Sequence, residues 1–221
     1  MSTKDEILKV SLKYFLTQGY DHTTLSQIAD DIGIKKPSIY YHYKSKEDLL
    51  SKGIELIISE LKNTLTNVID PSMPAKKQLE NFFEGILDFN SNLSVLIGNK
   101  FNEAINIETI FQMSANRFDH ISKTINDYYD YLIEVIENIL KTGQALGEFN
   151  PSLDHHTTAI EILAKIEGLI MLSSLYKKMD LLAIKTTLYE SLFLNLSNQR
   201  KVKKRKKKGF NFKTFDLGRK W

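Results

Sequence analysis

Apolar residues recur three and four positions apart along most of the chain and strict alternation is scarce, so the pattern predicts helices throughout. Thr3 and Glu6 have the spacing of a capping box, and Ile7, Leu8, Val10, Leu12 and Phe15 give a first helix an apolar face before Gly19 stops it. Leu25, Ile28, Ala29 and Ile32 fall at i, i+3, i+4 and i+7, which leaves Gln27, Asp30 and Asp31 facing out. Thr24 with Gln27 caps this second helix, and Gly33 ends it because glycine accepts a left-handed backbone. Pro37 has no N–H to lose in a first helical turn, so a third, short helix runs from Pro37 to about Tyr43 with Ile39 and Tyr43 turned inward. Ser45 and Asp48 open a fourth, whose apolar stripe runs from Leu49 through Ile54, Ile58 and Leu65 to about Asn67.

Asp70-Pro71 and Pro74 mark residues 68 to 74 as a loop. Beyond it the pattern predicts a Phe-rich helix from Ala75 to about Asn90, a break at Asn90 to Asn92, and further helical segments through Leu96, Phe101, Ile105 and Phe111. A long helix then runs from about Ala115 to Leu146, closed by Gly143, Gly147 and Asn150-Pro151. Two final helices, capped by Asp154 and Asp180, are apolar over more than one stripe. Pairing with a second copy would remove that surface from water, so Ile162, Ile166, Leu169, Leu188 and Leu192 are expected in a homodimer interface. The expected architecture is all-α. A three-helix head with a helix-turn-helix spans residues 1–48, a connecting helix 46–67, a larger helical domain 49–199, and a basic tail 200–221.

Only 4 prolines and 10 glycines occur in 221 residues, which agrees with helices. The absence of cysteine excludes disulfides, thiolate metal sites and thiol chemistry, and suits a cytoplasmic protein. The start, MSTKDEIL, lacks a signal-peptide pattern, and the apolar runs fall short of the roughly 18 residues of a membrane span, so an intracellular location is expected. His22, His42, His120, His155 and His156 show no metal spacing. No nucleophile, base and orienting group converge in a motif, and no phosphate-cradling glycine loop is present, so neither an enzyme nor a cofactor or metal is expected.

The formal charge of +3 hides a partition. Residues 200–221 carry eleven Lys or Arg and one acid; subtracting them from 30 and 27 leaves 19 basic and 26 acidic residues, so positions 1–199 sum to −7. Attraction for phosphate is therefore local to the edge formed by Lys35, Lys36, Lys44 and Lys46, within about one Debye length of roughly 8–10 Å. The tail reads either as a solvated charge run foreign to the domain or as an arm adding nonspecific attraction to DNA.

A helix pair such as Thr24 to Tyr43 can be a mere packing unit. Here a cap, a glycine turn, a proline start, paired tyrosines and a basic edge coincide, which points to a major-groove reader of double-stranded DNA. Lys36 can donate to guanine, Pro37 and Ser38 can lie against a thymine methyl or base edge, and the tyrosine hydroxyls, His42 and Lys46 can donate to phosphate.

The stretch GYDHTTLSQIADDIGIKKPSIYYHYKSKEDLL closely resembles the DNA-binding domain of the tetracycline-repressor (TetR) family, and the resemblance covers roughly residues 4 to 55. It implies a homodimeric repressor on a palindromic operator, released when a small molecule fills a pocket in the C-terminal domain. It also implies a phosphate contact at Thr24, base-reading or groove-lining roles for Lys36, Pro37, Ser38 and Tyr40, and backbone contacts from Tyr41, His42 and Lys46. Lys35 departs from the pattern, standing near where relatives often place a small hydroxyl or acidic cap, and it adds charge to the same edge. Dimerisation would use the last two helices as half of a four-helix bundle.

The aromatic residues between 82 and 131 read first as plain core. The resemblance implies a cavity there, with Phe82, Phe89, Phe101, Phe111, Phe118, Tyr128 and Met171 as lining for a largely apolar effector, and tyrosine hydroxyls, Glu103 or Glu167 to orient it. The alternative is a dimeric helix-turn-helix regulator with no small-molecule switch, controlled by a protein partner.

Overall fold

The computed structural model describes residues 2–97, 107–176, 178–179 and 181–197, and among these every regular element is a helix. The order is α1 (Thr3–Thr17), α2 (Leu25–Ile32), α3 (Lys36–His42), α4 (Lys46–Val68), α5 (Ala75–Leu96), α6 (Ile107–Arg117), α7 (Asp119–Ala145), α8 (His155–Leu175) and α9 (Leu181–Ser197). Helix α1 packs on α2 and α4, and α2 packs on α3. Helix α4 then leads into a second group, in which α5, α7 and α8 pack together with α6 against α7 and α9 against α8. The two groups meet where α1 touches α6 and where Gly53 of α4 admits the side chain of Leu12; a Cβ at Gly53 would stand 2.6 Å from Leu12 Cδ2.

Several boundaries differ from the sequence pattern for local reasons. Helix α1 is capped one residue earlier, by Ser2 and Asp5, whose side chains exchange bonds of 3.2 Å with each other's amides. The expected break at Asn90 to Asn92 does not occur. Ser91 and Asn92 donate back to the carbonyls of Leu87 (2.9 Å) and Asp88 (2.8 Å), which lets polar side chains ride on a continuous helix. The single helix expected over 115–146 is divided at Phe118, which is extended (φ −133°, ψ 106°) and turns its ring onto Tyr20, 5.7 Å between centroids. Phe101, Glu103, Ile105, the Asp180 cap and the tail 200–221 lie outside the described residues.

No helix among the described residues is long and apolar enough to cross a membrane, and no group of three or more metal-ligating side chains forms among them.

Candidate nucleic-acid interface and internal cavity

Local signals set the geometry of the interface. Thr24 accepts from the Gln27 amide (3.2 Å) while Gln27 accepts from the Thr24 amide (2.7 Å), which fixes the start of α2. Gly33 then ends the helix at φ 77°, in the left-handed region. Helix α3 starts at Lys36 with Pro37 in its first turn, and Lys35 supplies no side-chain cap. Ile39 and Tyr43 anchor it: both are buried, and the Tyr43 hydroxyl donates to the Lys4 carbonyl at 3.1 Å. With those two inside, Lys35, Lys36, Pro37, Tyr40 and Tyr41 are exposed. Ser38 and His42 are half-buried beside them, and the His42 ring stands edge-on to Tyr41 at 4.9 Å. Tyr41 is 86% exposed, so its ring contributes nothing to the chain's own core.

Lys46 departs from its expected place among the phosphate contacts. Its ammonium donates to the Thr23 carbonyl (2.7 Å) and sits 4.2 Å above the Tyr20 ring, where burial lowers its pKa. The Tyr20 ring also meets Arg117, 5.1 Å from the ring centre, and Arg117 donates to Asp21 at 2.6 Å. That bond and the guanidinium charge hold the Asp21 carboxyl below its usual range. His120 lies 3.6 Å from Glu47 across the same junction. The last turn of α6 and the first of α7 therefore grip the turn leading into α2 and the start of α4.

The cavity lies behind α6. It holds about 20 Å³, room for one water, and is walled by Leu61, Ile86, Phe89, Asn90, Ile107, Glu108, Phe111, Tyr128, Tyr129, Glu167 and Ile170. Phe89, Phe111 and Tyr128 are thus where the sequence placed them, and Glu167 enters beside them. Phe82 is sealed in the core, Phe118 packs at the Tyr20 junction, and Met171 points outward, so none of these three lines the cavity. Glu108 and Tyr129 carried no advance signal, because only the convergence of α6, α7 and α8 brings them together. Burial raises the pKa of Glu108, and burial followed by the nearby Glu108 charge raises that of Glu167 to about 7. Tyr128 and Tyr129 are likewise pushed up by burial.

The expected interface residues Ile162, Ile166, Leu169 and Leu192 prove to be buried within the chain, and Leu188 is half-buried. The first four are turned into the chain's own core, and Leu188 keeps part of its side chain at the surface. The outward face of α8 instead carries Ile160, Met171, Leu172 and Leu175, with Leu194 exposed on α9. Gly168 lies on the same side of α8, and open space surrounds its missing Cβ.

Residues 7–52 match the sequence profile of the bacterial regulatory proteins of the tetR family. The biofilm operon icaADBC negative transcriptional regulator IcaR of Staphylococcus aureus (strain Newman) is 30% identical over 131 residues, 58% of this chain and 69% of that protein. The chain belongs to the tetR family. It is a transcriptional regulator of that family, with the family's helix-turn-helix at α2 and α3. Similarity to the transcriptional regulator YerO of Bacillus subtilis (strain 168) reaches 33% over 100 residues, spanning 42% of this chain and about a third (35%) of that relative. The tetR-family fold extends over the second group of helices. A transcriptional regulator from Saccharomonospora viridis, solved in complex with choline, superposes with a TM-score of 0.74 at 20% identity, covering 87% of this chain and 96% of that one.

Proposed function

We propose that this tetR-family regulator is a repressor that binds a palindromic operator as a homodimer and releases it when a small molecule enters the cavity behind α6. One observation carries the reading: α6 takes part in both places. Ile107, Glu108 and Phe111 form its cavity wall, and Arg117 at its far end holds Asp21 of the head. A ligand that parts α6 from α7 and α8 displaces Arg117 and with it the turn before Thr24. Only a ligand that binds the displaced arrangement more tightly than the DNA-bound one can shift the balance.

In the dimer, the outward faces of α8 and α9 meet their copies in a four-helix bundle. Ile160, Met171, Leu172 and Leu175 supply the apolar contact, and Ala164 and Gly168 between them allow close approach. Each α3 then enters a major groove, the two separated by about 34 Å or a multiple of it. Lys36, Pro37, Ser38 and Tyr40 face base edges, while Thr24, Lys35, Tyr41 and His42 contact the backbone. IcaR is named a negative regulator and the Saccharomonospora protein holds choline, which supports repression and a small effector.

The test is selection of binding sites from random duplexes with the full chain, followed by sedimentation of the complex. Inverted repeats bound by two chains are expected, and compounds that stabilise the free protein are expected to lower operator affinity. Single half-sites bound by one chain would defeat the dimeric reading.

A further inference from the structure

The cavity is apolar in shape but not in charge. Glu108 and Glu167 face it from α6 and α8, close enough for the charge on Glu108 to act on Glu167. Glu108 Oε2 is buried with no hydrogen-bond partner, and neither carboxylate is in an ion pair among the described residues. No Lys, Arg or His lines it among the described residues. Tyr128 is 7% exposed and its hydroxyl makes no hydrogen bond among the described residues, while its ring meets Phe111 edge-on at 5.7 Å and Tyr129 at 5.0 Å.

Resting on the effector reading, we propose that the cavity takes a compact organic ammonium, its charge between Glu108 and Glu167 and its alkyl groups against the rings of Phe111, Tyr128 and Tyr129. A neutral apolar guest would complete the desolvation of two neighbouring acids with nothing to compensate them, and an anion would add a third like charge. A cation pairs with the carboxylates and is attracted by the electron-rich faces of the three rings. An ammonium bearing alkyl groups suits the site better than an inorganic ion, because most of the wall is hydrocarbon. The raised pKa of Glu167 agrees, since it records the unfavourable burial of negative charge that a bound cation relieves. Such a guest is several times larger than the single water that fits, so it requires the helices around the cavity to part. Its binding therefore favours an arrangement other than the closed one.

Isothermal titration of the full chain in phosphate buffer, free of organic amines, tests this. The probes are choline, tetramethylammonium and 3,3-dimethyl-1-butanol, the uncharged isostere of choline. Both cations are expected to bind, and the isostere at least tenfold more weakly. Glu108→Gln and Glu167→Gln, checked for native helicity, are each expected to weaken choline at least tenfold and to leave the isostere unchanged. Equal binding of choline and its isostere, full cation affinity in both glutamine variants, or no binding of either cation overturns the proposal. Operator release by apolar compounds without cation binding removes only the charge assignment. Cation binding that leaves operator affinity untouched confirms the site and removes the effector reading.

Discussion

Replacing Glu167 with glutamine is expected to stabilise the ligand-free protein, increasingly as pH rises from about 4.5 to 7 and fully above that. Burial and the Glu108 charge raise the Glu167 pKa from 4.5 to about 7, so between those values the folded chain holds a proton that the unfolded chain has lost. Stability therefore falls as pH rises through this window; at about 1.36 kcal/mol per unit the loss approaches about 3 kcal/mol by pH 8. Glutamine has the shape of the protonated acid and no charge to bury. The variant should match the wild type below pH 4.5 and exceed it by about 3 kcal/mol at pH 8, equivalent to roughly 6–12 °C in a chain of this size. Urea denaturation at pH 4.5, 6 and 8 measures it, at one protein concentration because self-association would shift the midpoint. Glu161→Gln, on the exposed side of α8, serves as the control, with less than about 0.5 kcal/mol expected at any pH. A difference independent of pH, or a destabilised Glu167→Gln at pH 8, refutes the reasoning.

The same titration acts on the ligand with the opposite sense. Glu167 must be ionised to pair with a cation, so choline affinity by calorimetry should rise about tenfold from pH 6 to pH 8, and a flat profile counts against its role. Arg117→Met removes the grip on Asp21. Operator affinity by fluorescence anisotropy should change less than about threefold, while the choline-induced drop shrinks from within the roughly 5–150-fold range of allosteric couplings toward none. Leu172→Glu with Leu175→Glu should give folded monomers by sedimentation, whereas Leu169→Glu, at a site 3% exposed, should lose the fold instead. Lys36→Ala should relax base preference at one operator position, and Tyr41→Phe should weaken selected and random duplexes alike, as read by competition binding.

What could be read from the sequence follows the range of the forces involved. Thr24, Gln27, Gly33 and Pro37 act on backbone a few residues away, and the helix-turn-helix they predict is found with its boundaries nearly unchanged. The inward positions of Ile39 and Tyr43 follow from a four-residue spacing. The cavity depends on α5, α6, α7 and α8 converging, so the spacing of phenylalanines could suggest Phe89 and Phe111 but not exclude Phe82, and nothing in the pattern sets an acid such as Glu108 apart from ordinary solvated charge. Phe118 breaks a pattern that is helical on both sides because Tyr20, nearly a hundred positions earlier, offers its ring a better neighbour. Helix α8 is apolar over more than one stripe, so its pattern does not say which stripe the chain itself buries: Leu169 is turned inward and Leu172 outward.

The seating of Leu12 at Gly53 makes α1, α2 and α3 ride on α4 as on the end of a lever. Leu61, at the cavity, and Lys46, at the head, are separated along α4 by about 22 Å at 1.5 Å per residue, so a tilt of about 5° swings the head by roughly 2 Å. In the symmetric pair proposed above the two arms would swing in opposite directions, and the reach between them would change by up to about 4 Å, measured against a groove repeat of about 34 Å that DNA does not readily stretch. A motion too small to disturb any helix would then be enough to make the span unfit for its track.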